Sequence, residues 1–131
     1  MSTDVAGAGR PPLGLVDHHC HGVVEEDLDR PAFEDLITES PAPAPAGCSF
    51  FDTQLGLAIR AHCAPVLDLP AYAPADDYLA RRRELGAAEV NRRLLRAGGF
   101  DTLLVETGHL GDRILSPAAM AERSGARTHE V

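Results

Sequence analysis

The 131-residue sequence contains no lysine and no tryptophan. Its 12 basic residues are therefore all arginine, and against 20 acidic ones they leave a net charge of −8. Such a balance repels a phosphate backbone, so nucleic acid is not an expected partner. With four Phe and two Tyr the chain also lacks the aromatics for a base-stacking platform. No apolar run approaches the roughly 20 residues of a membrane span. The first residues, Met1 to Gly9, have neither a basic n-region nor an apolar h-region, which argues against a secretory signal. The expectation is no membrane and a cytoplasmic location. The three cysteines, Cys20, Cys48 and Cys63, form no C-x-x-C pair, so free thiols are expected rather than a disulfide framework.

What is present reads as an α/β chain. Residues 1–12 are expected to be a disordered leader, and Leu13-Gly14-Leu15-Val16 an apolar run entering a buried strand. Asp17-His18-His19-Cys20-His21-Gly22 comes directly after it, and most of the acidity, −7, falls on residues 17–39. The stretch Glu25-Glu26-Asp27-x-Asp29 reads as a hydrated loop. Arg30-Pro31 opens a short helix, and Pro41 to Pro45 enforces an extended loop. Phe51-Asp52-Thr53 leads into a capped helix whose apolar stripe includes Leu55, Ala58, Ile59 and His62, with His62 expected in a core or interface. Pro65 and Pro70 bracket Val66 to Leu69, an extended piece or coil. Pro74 to Ala97 is helical, divided into two helices or kinked by Gly86, with Arg81-Arg82-Arg83 on a solvated face, and Gly98-Gly99 ends it. Phe100 to Glu106 is an unalternated apolar run, the pattern of a strand covered on both faces. Ser116-Pro117 starts a further helix to about Arg123, and Thr128 to Val131 begins another strand. Helix, glycine stop and buried strand together mark an α/β unit.

Side chains alternate along a strand, which places Asp17, His19 and His21 on one face and His18 and Cys20 on the other. Two imidazoles two residues apart can hold one cation, and they stand where an apolar strand runs into a glycine loop, the edge at which parallel α/β folds place their active sites. These residues carry a resemblance. Leu15-Val16-Asp17-His18-His19-Cys20-His21-Gly22 resembles the strand-one signature of the amidohydrolase superfamily, a hydrophobic strand ending in Asp-x-His-x-His. Phe50 to Gly56, Glu89 to Leu95 and Asp101 to Gly108 are also similar to members of its amidohydrolase-2 branch.

The resemblance implies a (β/α)8 barrel and a divalent metal, Zn before Mn or Fe, with His19 and His21 as ligands. It implies a small-molecule substrate in the intact enzyme and leaves a homo-oligomer open. Asp17, His18 and His109 become candidates for substrate contact or for orienting the ligands. A metal so held lowers the pKa of bound water toward about 7 and polarises a carbonyl; related decarboxylases instead use it to hold a carboxylated substrate. The family's later metal-binding histidines and aspartate have no counterpart here, and a closed barrel needs about 250 residues. The expectation is thus an N-terminal portion, 13–131, with 22–100 a mostly helical insertion after strand one, inactive alone, unstable and aggregation-prone.

Three other readings compete. Asp17-His18-His19-Cys20 spells the tetrapeptide of protein palmitoyltransferases, whose cysteine-rich domain and membrane helices are absent. A structural zinc knot from Cys20, His21, Cys48, His62 and Cys63 lacks the required close cysteine pair. A non-catalytic remnant, or a small metal-binding or interaction module, is the alternative in function.

Overall fold

The computed structural model describes residues 13–131, and the expected leader, 1–12, lies outside them. The chain is mixed α/β. Strands β1 (Leu15–His21), β2 (Phe100–Glu106) and β3 (Arg127–Glu130) form a parallel sheet in the order β1-β2-β3. Between β1 and β2 run α1 (Arg30–Asp35), α2 (Gln54–Ala58), α3 (Ala64–Val66), α4 (Ala75–Leu85) and α5 (Ala87–Ala97); α6 (Pro117–Ser124) joins β2 to β3.

Local chemistry explains the element boundaries. The Asp29 carboxylate accepts from the Ala32 N–H to start α1, Thr53 does the same for α2 and Ser116 for α6. Gly86, at φ +79°, separates α4 from α5, since few side chains tolerate that conformation. Pro65 lies inside a continuous helical run from Gln54 to Val66, where it cannot donate to the preceding turn, and the Arg60 carbonyl there accepts from the Tyr72 N–H instead; the segment Pro65 was expected to bracket is helical as far as Val66 and then turns. A π-helical stretch, Ile59–Cys63, links α2 to α3. Within it Ile59 and Cys63 pack against the core, whereas His62 is exposed rather than buried.

Two apolar clusters form. One lies within the helical excursion, where Phe33 stacks on Phe51 at 5.2 Å and both meet the edge of Tyr78, with Leu67, Leu79 and Val90 around them. The other lies on the sheet, with Leu103, Val105, Met120 and Ala126 buried and Cys20, Leu95 and Phe100 packed against them. Helix α5 serves both, through Val90 and Leu94 on one side and Leu95 on the other. It therefore acts as the crossover helix of the β1-α5-β2 unit, while the segment before Gly86 forms the excursion.

The acidic segment is an exposed loop, as expected, but its carboxylates have partners. Glu25 pairs with Arg123 and Glu26 with Arg113. Asp27 accepts from the Ala87 N–H at 2.9 Å and so caps α5. These contacts strap the excursion to α5, α6 and the turn before α6. The apolar start of β1 differs from expectation too: Leu15 and Val16 are 53% and 59% exposed, because β1 is an edge strand and no described element covers its outer side. The most buried strand is the central one, β2, where Thr102, Leu103 and Val105 are buried.

Candidate metal centre at the carboxyl edge of the sheet

β1 and β2 end side by side, with His21 in register with Glu106. The pairing skips one residue just before: Asp17 faces Leu103 and Cys20 faces Val105, so three steps on β1 match two on β2. This irregularity breaks the strict alternation expected of the strand. The Asp17 carboxylate accepts from the His19 N–H at 3.1 Å, fixing the backbone at the irregularity rather than an imidazole. Cys20 turns inward, and its thiol approaches the Leu104 carbonyl at 3.6 Å. Burial, and then the Asp17 charge, push that thiol's pKa up, so it stays a neutral packing group rather than a thiolate ligand.

His19 and His21 project together from the end of β1. Their ring centroids lie 5.2 Å apart and the rings are nearly perpendicular, at 80°. Two imidazoles bound tetrahedrally to one Zn, at about 2.0–2.1 Å per bond, would have centroids about 5 Å apart, a separation close to that of this pair. His109, on the loop after β2, lies against His21 at 4.7 Å and 37°, a tilted ring contact. His18 is exposed and lies outside this row of rings.

Glu106 organises the row. Its Oε2 lies 3.0 Å from His21 Nδ1. Its two oxygens also accept from the N–H of Gly108 at 2.6 Å and of His109 at 3.2 Å. The Gly108 N–H, against a weaker desolvation, and then the His109 N–H and the His21 ring hold the Glu106 carboxyl below the usual carboxylate range. In a metal-bound imidazole, a carboxylate at Nδ1 fixes the ring's orientation and favours coordination through Nε2. Among the described residues no group of three or more His, Cys, Asp or Glu side chains is arranged to hold an ion. The donor set in place is thus two imidazoles and one orienting carboxylate. The five residues of the alternative zinc knot do not gather: Cys48 and His62 are exposed, and Cys20 and Cys63 are half-buried thiols in different clusters.

Beside these rings opens a cleft of about 300 Å³, lined by His21, His109, Asn91, Arg82 and apolar side chains. Asn91 is buried and donates from Nδ2 to the Val24 carbonyl at 2.7 Å. The sequence pattern did not mark Glu106, Asn91 or Arg82 as site residues. Glu106 had a legible signal, a carboxylate as the last residue of a buried strand; the other two sit on helices with nothing local to distinguish them.

The chain matches no protein-family model, no curated protein and no solved structure.

Proposed function

We propose that residues 13–131 are the first part of a (β/α)8 barrel and supply the strand-one half of the metal site of an amidohydrolase-type hydrolase acting on a small-molecule substrate. The observation carrying this reading is the placement of His19, His21, Glu106 and His109 together at the carboxyl ends of adjacent parallel strands, where barrel enzymes carry their chemistry. The sequential strand order β1-β2-β3, with helices between, supports it. A divalent ion, when bound, would activate water and polarise a carbonyl. His19 and His21 would hold it, Glu106 would fix the His21 ring, and His109 would flank the bound substrate. Two imidazole ligands fall short of the three protein ligands usual in a catalytic zinc site, so turnover by these residues alone is not expected.

Cobalt titration of the chelator-stripped protein tests the reading, since Co(II) reports its ligand geometry by visible absorption. One equivalent should bind saturably, with His19→Ala and His21→Ala each weakening binding at least tenfold while His62→Ala leaves it unchanged. Binding that ignores both β1 variants, or no binding at all, would overturn the assignment.

A further inference from the structure

Arg82 is the one half-buried arginine among the described residues that has neither a carboxylate nor a backbone carbonyl as acceptor. Arg30, Arg81, Arg93 and Arg123 each pair with an acid, and Arg60 donates to the carbonyls of Tyr72 and Ala73. Arg82 instead lies over the Phe33 ring at 5.0 Å and near the Tyr78 ring at 5.7 Å, and its Nη1 reaches the Tyr78 hydroxyl at 3.4 Å. Two carboxylates beside its helix edge, Glu26 and Asp27, are engaged by Arg113 and by the Ala87 N–H.

Desolvating a cation without a counter-ion is unfavourable, and two aromatic faces offset only part of that cost. What the rings do provide is orientation: the guanidinium is held against them, with donors left over for a planar acceptor that can take two parallel hydrogen bonds. Arg82 lines the same cleft as His21 and His109, and Val24, Leu28, Phe33 and Leu36 give that cleft apolar walls. Its volume of about 300 Å³ is at the small end for ligand pockets.

We infer that the cleft binds a small apolar monocarboxylate, an aryl or short branched alkyl acid, with its carboxylate on Arg82 and its apolar body along Val24 and Leu36. Glu106 repels the carboxylate from the imidazole side, so the uncharged part of the ligand faces His21 and His109. A phosphate ester suits the cleft less well, because it offers two negative charges to one arginine among apolar walls. That this acid is the substrate rests on the proposed hydrolase reading; that it binds does not, since Arg82 needs no metal.

The test titrates benzoate into the full 131-residue chain in the presence of EDTA, monitored by NMR of backbone amides and of arginine Nε–H, with benzyl alcohol as the uncharged probe of similar size. Benzoate should saturate, shifting Arg82, Asn91 and Val24, and benzyl alcohol should bind at least tenfold more weakly. Arg82→Gln should lose benzoate at least tenfold, and Arg82→Lys should recover part of the loss. Leu36→Trp, a change at an exposed position on the cleft wall, should exclude benzoate without touching the cation and covers the case in which Arg82→Gln fails to fold. Equal binding of the two probes, or benzoate binding unaffected by the variants, would overturn the inference. Because EDTA is present throughout, a failure here is separate from a failure of cobalt binding.

Discussion

Glu106 accepts on both oxygens, and an amide in its place would keep one acceptor and lose the other. Glu106→Gln should therefore release the His21 ring from a single tautomer, visible as a change in its ring-nitrogen shifts in long-range ¹H–¹⁵N spectra. It should also weaken metal binding by about 10–100-fold, the usual effect of losing a carboxylate behind a ligand imidazole. An unchanged tautomer would show that Glu106 only anchors the loop after β2. The arginine run departs from its expected solvated face at this same scale. Successive helical residues point about 100° apart, so Arg81 reaches Asp68, Glu84 and the Leu67 carbonyl, Arg82 enters the cleft, and Arg83 alone is exposed. Three identical letters in a row have three different environments, and only the packed helix shows which is which.

At the scale of elements, α2 seats on the turn before it through Gly56. A Cβ there would stand 2.4 Å from the Phe51 Cα and 2.5 Å from the Phe50 carbonyl oxygen, both backbone atoms that cannot yield cheaply. Gly56→Ala should destabilise the fold by about 1–3 kcal/mol or more, whereas Leu57→Ala, one residue on and exposed, should stay within about 0.5 kcal/mol. Urea unfolding of the two variants compares them, and similar midpoints would contradict the close approach. Helix starts, the Gly86 break and the β2 span were legible in the letters because caps, glycines and apolar runs act over a few residues. The π-helical stretch was not, since nothing in the pattern from Ile59 to Cys63 marks a wider turn.

For the whole molecule, the sheet leaves β1 and β3 each with an open edge, and β1 with the residues leading into it presents Leu13, Leu15 and Val16 to solvent. Unpaired backbone beside exposed apolar side chains invites pairing with another chain. Val16→Lys should raise the monomeric fraction in size-exclusion chromatography at a given concentration without lowering the unfolding midpoint; unchanged self-association would place the contact elsewhere. The acidic segment shows the same scale at work. Its −7 was plain in the letters, yet its role as a strap depended on Arg113 and Arg123, which lie 87 and 98 positions from their partners. What the letters alone determined was local: the α/β class, where most elements start and stop, and the pairing of His19 with His21, all set by neighbours within a few residues. The tertiary structure alone decided that Glu106 joins those histidines, that the candidate His109 rests against His21 rather than His19, that Arg82 lines their cleft and that β1 is an edge. Those facts depend on which distant segments pack together, and parallel pairing brings residues as far apart in sequence as His21 and Glu106 into register.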